Sequence, residues 1–144
     1  MFRQIDSNFL ASPQITVEEV GEAAQLGVKL IINNRPEGED PTQTPGEVIE
    51  AAAKGHGIDY VAIPVTHAGF SQPQVVAMAE ALEKAGDNKV LAYCRSGTRS
   101  TLLWSLAEAS KGRDPEELSE CAAGGGYDLS PVRSLLDMLA SVRE

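Results

Sequence analysis

Cysteine and histidine are scarce in this sequence, which contains two of each among its 144 residues. The cysteines, Cys94 and Cys121, stand too far apart for a Cys-x-x-Cys motif, and the histidines do not supply the ligand spacing of a zinc site. We therefore expect neither a disulfide framework nor a bound metal.

Long apolar runs and an excess of basic residues are also missing. The longest strongly apolar stretches, such as VKLII, are far too short to cross a bilayer, and the N-terminal MFRQIDSNFLASPQI lacks the apolar core of a signal peptide. The net charge of −9, from 12 Lys and Arg against 21 Asp and Glu, would repel a nucleic-acid backbone. The sequence predicts a cytoplasmic protein with neither a membrane nor a nucleic acid as partner.

Three segments rich in β-formers start about thirty residues apart, which is the length of a strand and its crossover helix. They are VKLIIN from Val28, IDYVAIPV from Ile58 and KVLAYC from Lys89. Helix start signals precede or separate them, at Thr16 with Glu19, Thr44 with Glu47, and Ser71 with Gln74. Residues 1–144 are therefore expected to form one α/β domain with a mostly parallel sheet.

The remaining segments complete this domain. Apolar positions after Arg99 predict a helix from near Ser100, and further helices are expected to start after Asp114 and at Ser130. The glycine run at positions 124–126 predicts a chain reversal, and FRQID with FLAS predicts a small N-terminal hairpin.

Parallel strands joined by right-handed crossovers place their carboxyl ends along one edge of the sheet, where open α/β sheets bind ligands. Three loops should meet at this edge: NNRPEGED, THAGFS and CRSGTR. We therefore expect Arg35, His67 and Cys94 to be neighbours.

The loop that begins at Cys94 has the composition of an anion site. A strand-to-helix turn with Gly97 can aim several N–H groups into one hollow, beside the positive end of the next helix. This field, with Arg95 and Arg99, should favour the nucleophilic thiolate, and Arg99 can hold an oxyanion through two parallel hydrogen bonds. We predict Cys94 and Arg99 as catalytic residues, in an anion-binding loop of Arg95, Ser96, Gly97, Thr98 and Ser100.

Other roles are open for several candidates. A free cysteine is often a small buried hydrophobe, which is the expectation for Cys121. Arg35, His67 and Asp128 are secondary site candidates. A loop histidine more often hydrogen-bonds the backbone than acts in catalysis, and Arg35 has acidic neighbours with which it can pair, namely Glu37, Glu39 and Asp40.

Two family resemblances are carried by these motifs. The loop CRSGTRS is similar to the active loop of single-domain rhodaneses, in which the cysteine becomes a persulfide held by loop amides, although the DVR and GHIPGA stretches of rhodaneses are absent. The stretches ITVEEVGEAAQLGVKLIINNRPEGE, GIDYVAIPV, CRSGTRSTLLW and GYDLS resemble a bacterial phosphatase-like family that also occurs fused to metallo-β-lactamase-like hydrolases. The second resemblance implies a three-layer fold like that of dual-specificity phosphatases, with helices on both faces of the sheet.

Two departures from the tyrosine-phosphatase pattern bear on the reaction. Four residues rather than five separate Cys94 from Arg99, and the shorter loop should form a tighter ring of amides, suited to a single sulfur atom. Phosphoester cleavage also needs a proton donor for the leaving oxygen, but THAGFSQPQ contains no Asp or Glu. The possible substitutes are His67, Asp128 and the acids at positions 37–40.

The sequence thus predicts a sulfurtransferase that carries sulfur as a Cys94 persulfide, with a small anionic or sulfane-sulfur substrate and no cofactor. The resemblance to phosphatases further implies that Ser100 hydrogen-bonds the Cys94 sulfur, while Arg95 lies at the rim. The alternatives are a phosphatase that forms a phosphocysteine, a non-catalytic oxyanion-binding module, and a redox sensor resolved by Cys121. No protein partner is implied.

Overall fold

The computed structural model describes residues 2–142 of the chain. The strands are β1 (Arg3–Gln4), β2 (Phe9–Ser12), β3 (Val28–Asn33), β4 (Asp59–Ala62) and β5 (Lys89–Tyr93). The helices are α1 (Val17–Gln25), α2 (Gly46–Gly55), α3 (Gln72–Ala85), α4 (Thr98–Ser110), α5 (Pro115–Gly124) and α6 (Arg133–Val142), with a 3-10 turn at Ser130–Val132.

The five strands form one sheet in the order β1-β2-β5-β3-β4, parallel except for the β1–β2 hairpin at one edge. Its register pairs Tyr93 with both Ser12 and Asn33, and Asn33 with Ala62. The four parallel strands therefore end together, with β5 in the middle. This confirms the predicted α/β fold, its mostly parallel sheet and the N-terminal hairpin.

Helices cover both faces of the sheet, as expected for three layers. Ile31 and Leu91 belong to the apolar core beneath α1 and α2, whereas Ile32 and Ala92 belong to the core beneath α3, α4 and α6. Helix α4 is buried along nearly its whole length because other helices flank it on the second face. The helix that follows the cysteine is thus fixed in the interior.

The predicted capping boxes that open α1 and α3 are confirmed, but the one predicted for α2 is wrong. Pro45 occupies the N-cap position, so Thr44 stands one residue too early to cap the helix. The Glu37 carboxylate accepts the Gly46 N–H at 3.0 Å instead. Glu37, from the loop after β3, therefore caps α2 in place of Thr44, which the sequence pattern had predicted as the cap.

None of the helices in the described part of the chain combines the length and the apolarity needed to cross a membrane. Residues 2–142 also contain no group of three or more His, Cys, Asp or Glu side chains placed to hold a metal ion.

Candidate active site

Cys94 is the first residue after β5, at the centre of the carboxyl edge of the sheet. Its N–H donates to the Ser12 carbonyl at 3.3 Å, and its side chain is fully buried. Arg95 is exposed beside it. Helix α4 begins at Thr98, two residues before the predicted start near Ser100. We call residues 94–99 the cysteine loop.

The backbone of the cysteine loop supplies one donor to the sulfur and leaves other donors free. Gly97 adopts a φ of 93°, which non-glycine residues rarely tolerate, and its N–H donates to Cys94 Sγ at 3.1 Å. Four N–H groups in and directly after the loop have no acceptor within residues 2–142: those of Arg95, Ser96, Arg99 and Ser100. The last two belong to the first turn of α4 and point out of its N-terminus. Such a set of free donors is an anion-binding arrangement.

Arg99 lies beside the cysteine but is already paired. Its Nη1 and Nη2 donate to the two Glu39 carboxylate oxygens at 2.7 and 2.9 Å, and Nη1 also donates to the Val65 carbonyl. The hydrogen bond to Glu39 and, more weakly, the Cys94 sulfur raise the pKa of Arg99 against the opposing effect of burial. The two-bond fork expected to hold an oxyanion is thus engaged by Glu39, which leaves the Nε edge of the guanidinium for a ligand.

Arg35 is linked to Arg99 through the Glu39 carboxylate, to which both arginines donate. It is 5% exposed, donates through Nε to Glu39 at 3.0 Å and through Nη1 to the Gln14 side chain at 3.0 Å. Glu39 therefore lies between two arginines, and the hydrogen bond from Arg99, followed by that from Arg35, lowers its pKa to about 2 despite the opposing effect of burial. Among the acids near Arg35 in sequence, Glu39 is the partner.

We expect low pH to weaken the ion-pair cluster of Arg35, Glu39 and Arg99. Because the pKa of Glu39 is lowered from about 4.5 to about 2, its contribution is complete above about pH 4.5 and is lost as the pH falls toward 2. Urea unfolding as a function of pH should show this loss. Glu39→Gln should lower the free energy of unfolding at neutral pH by about 2 kcal/mol, below the range for fully buried pairs because Glu39 keeps 17% exposure.

The matched control is Glu83→Gln, which removes an exposed carboxylate on α3. It should retain the wild-type fall in stability on acidification, whereas Glu39→Gln should lack part of it. Identical pH dependence in Glu39→Gln and wild type would contradict the proposed role of the Glu39 charge.

The other predicted acids already accept hydrogen bonds. Glu37 caps α2, Asp40 accepts from the Thr42 N–H and hydroxyl, and Asp128 accepts from the Ser130 N–H and hydroxyl. These backbone and hydroxyl donors lower the pKa of both Asp40 and Asp128. The environments of Asp40 and Asp128 therefore favour the carboxylate, and Glu37 is engaged as the cap of α2.

His67 lies exposed in the loop after β4, and within residues 2–142 it has no hydrogen bond or ion pair. The expectation that it would hydrogen-bond the backbone is therefore not met in this structure. Arg35 reaches the cysteine loop through Glu39, but no contact connects His67 with Cys94 in the described residues.

Ser100 does not form the expected hydrogen bond to the Cys94 sulfur. Its hydroxyl is buried and has no partner within residues 2–142. Helix α4 begins before Ser100, so this residue already lies in the first helical turn. The next residue, Thr101, bonds the loop instead, by donating to the Gly97 carbonyl at 2.9 Å.

Both cysteines are free thiols. Cys121 lies on α5, is partly buried and packs against the core, which agrees in part with the expected buried position. Burial raises the pKa of its thiol, so it is a weak nucleophile for resolving an oxidised Cys94.

Two residues that contact the cysteine loop or Arg35 were not predicted from the sequence, namely Gln14 and Tyr127. Gln14 accepts the Arg35 hydrogen bond, and its N–H donates to the Arg95 carbonyl at 3.4 Å. Tyr127 donates its phenolic hydrogen to the Ser96 carbonyl at 3.1 Å. The only signal for Tyr127 was its place in the GYDLS stretch.

A family model and a curated relative both place this chain in the same family. The family model for the phosphatase-like domain of beta-lactamase hydrolase-like protein matches residues 1–111. A beta-lactamase hydrolase-like protein of Xylella fastidiosa strain 9a5c is 31% identical over 137 residues, which cover 94% of this chain and 32% of that protein. The chain therefore spans about a third of the length of this curated relative.

Solved structures agree with the fold. The crystal structure of a candidate phosphatase from Neisseria meningitidis Z2491 has a TM-score of 0.81 and 33% identity, covering 95% of this chain and 96% of its own. Tk-PTP in its active form has a TM-score of 0.74 and 18% identity, covering 97% and 96% of the two chains. The fold is thus phosphatase-like.

Proposed function

We propose that this chain, which belongs to the family of phosphatase-like domains of beta-lactamase hydrolase-like proteins, is a sulfurtransferase that carries sulfur as a Cys94 persulfide. The observation that carries this proposal is the state of the nearby acids. Glu39, Asp40 and Asp128 accept hydrogen bonds that lower their pKa values, so these three are poorly suited to protonate an oxygen leaving group. The Glu37 carboxylate is engaged as the cap of α2. Sulfur transfer expels sulfite or a thiolate, and these need no acid.

The chemistry proceeds in two displacements. The Cys94 thiolate attacks the outer sulfur of thiosulfate or of a persulfide donor, and the donor S–S bond breaks with its electron pair leaving on sulfite or on a thiolate. A nucleophilic acceptor then attacks the outer sulfur of the Cys94 persulfide, and Cys94 leaves as the thiolate. No oxidant or reductant is consumed. The free N–H groups of the cysteine loop and the Nε edge of Arg99 are the donors for the anionic outer sulfur and the departing group.

A second candidate is phosphoester hydrolysis through a phosphocysteine. The observation in its favour is the similarity of 95% of this chain to the candidate phosphatase from Neisseria meningitidis. His67 would then be the acid, since it is the protonatable side chain in the loop after β4 that has no structural bond within residues 2–142.

The two reactions are separated by assaying one preparation for thiosulfate-to-cyanide sulfur transfer and for hydrolysis of an aryl phosphate. We expect sulfur transfer to dominate and to be unchanged by His67→Ala. Strong phosphatase activity that is lost in both Cys94→Ser and His67→Ala, without sulfur transfer, would overturn the proposal. Absence of both activities, together with anion binding that Arg99→Ala abolishes, would indicate a non-catalytic module and would also overturn it.

A further inference from the structure

The segment after α5 packs against the cysteine loop and is not used by the reaction described above. Helix α5 ends at Gly124, and the chain reverses through Gly125 and Gly126. A side chain at Gly125 would collide with Ile5, and Gly126 has a φ of 92°. The Tyr127 N–H then donates to the Ala122 carbonyl at 2.9 Å. The glycine run thus brings Tyr127 back along the end of α5.

The Tyr127 phenol lies directly on the cysteine loop. Its O–H donates to the Ser96 carbonyl at 3.1 Å, and a Cβ added to Gly97 would overlap the phenol oxygen. The same Cβ would lie 3.2 Å from the Ser12 carbonyl carbon. Tyr127 and the end of β2 therefore both lie close to Gly97, in the middle of the cysteine loop.

One peptide unit connects this contact with the nucleophile. The carbonyl of Ser96 and the N–H of Gly97 belong to the same planar trans peptide, so they point in nearly opposite directions. Tyr127 holds the carbonyl end at 3.1 Å, and the N–H end donates to Cys94 Sγ at 3.1 Å. If this peptide turned over, it would present an oxygen lone pair to the sulfur in place of a donor.

We propose that Tyr127 is a positioning residue that fixes the Ser96–Gly97 peptide with its N–H directed at the Cys94 sulfur. Burial and, more weakly, the charge of Cys94 raise the pKa of Tyr127, so the phenol keeps the proton that it donates. The proposal rests on the role of Cys94 as a nucleophile, but not on whether the transferred group is sulfur or phosphoryl.

The test is the rate of Cys94 alkylation by iodoacetamide as a function of pH, in a Cys121→Ser background so that one thiol reacts. Tyr127→Phe keeps the ring and removes the hydroxyl. We expect alkylation at neutral pH to slow by about fivefold to tenfold, with the profile moved to higher pH, because the thiolate loses a well-directed donor. The matched control is Tyr60→Phe, which removes a phenol that is hydrogen-bonded to Asn33; its profile should equal that of the background protein.

A second measurement, the NMR resonance of the Gly97 amide, reports on the Ser96–Gly97 peptide itself. In the folded Tyr127→Phe protein, whose urea unfolding midpoint is measured alongside, the Gly97 amide resonance should move, while it stays in place in Tyr60→Phe. An alkylation profile and a Gly97 resonance that are both unchanged in Tyr127→Phe would overturn the proposal. Neither readout involves sulfur or phosphate transfer, so failure of the proposed function leaves this test intact.

Discussion

Replacing Cys94 with serine is expected to reduce sulfur transfer from thiosulfate to cyanide by at least about a thousandfold. A serine hydroxyl cannot form the persulfide, and it is a far weaker nucleophile than a thiolate toward the outer sulfur of the donor. The buried position of residue 94 suits this comparison because serine is nearly the same size as cysteine and should leave the fold intact. Steady-state transfer rates at saturating thiosulfate give the measurement.

The control for this prediction is Cys121→Ser. Cys121 lies on α5, packs against the core and has a raised thiol pKa, so its loss should change the transfer rate by no more than about twofold. If Cys94→Ser retained activity while Cys121→Ser lost it, the assignment of the nucleophile would be wrong. Loss of activity in both variants would instead favour a pair of cooperating thiols.

Arg99→Lys is expected to lower the transfer rate by about a hundredfold although the positive charge is kept. In the proposed mechanism one guanidinium has two tasks. Its Nη groups hold both oxygens of Glu39, and its Nε edge is left for the ligand. A lysine ammonium is a compact charge that cannot present two such edges, so it would either pair with Glu39 or turn toward the ligand.

Arg133→Lys is the matched control, because Arg133 is a partly exposed arginine on α6 that pairs with Glu116 and Asp137. It should retain the wild-type rate. The comparison of Arg99→Lys with Arg99→Ala is also informative: if lysine restored most of the activity lost in alanine, the guanidinium geometry would be unimportant and charge alone would suffice.

Much of the fold could be predicted because its signals are local. The spacing of the β-rich segments predicts the strand-crossover-strand units, and the parallel arrangement then places the loops after β3, β4 and β5 at one edge. The prediction of an anion-binding loop also rests on a short stretch, since Cys94, Gly97 and Arg99 lie within six residues of one another.

The parts that could not be predicted depend on how loops return to the site. Glu39 is one of several acids after β3, and only the path of that loop determines that it reaches Arg99 while Glu37 caps α2. Tyr127 lies after α5, and its contact with Ser96 depends on how the glycine run packs against β1. Sequence spacing carries no information about either distance.

The Ser100 prediction failed for a different reason. The expected hydrogen bond from Ser100 was implied by the resemblance to phosphatases, whose pattern has five residues between the cysteine and the arginine. Here helix α4 begins at Thr98, and the Ser100 hydroxyl is buried without a partner in the described part of the chain. The same shortening supports the proposal of sulfur rather than phosphoryl transfer, because it changes the loop where the transferred group would bind.

The central claim is that Cys94 carries sulfur, and intact-protein and peptide mass spectrometry after incubation with thiosulfate tests it most directly. The account predicts a mass increase of one sulfur atom, located on the peptide that contains Cys94, removed by cyanide and absent from Cys94→Ser. An unmodified Cys94 after thiosulfate, together with a phosphorylated Cys94 trapped during turnover of an aryl phosphate, would contradict it.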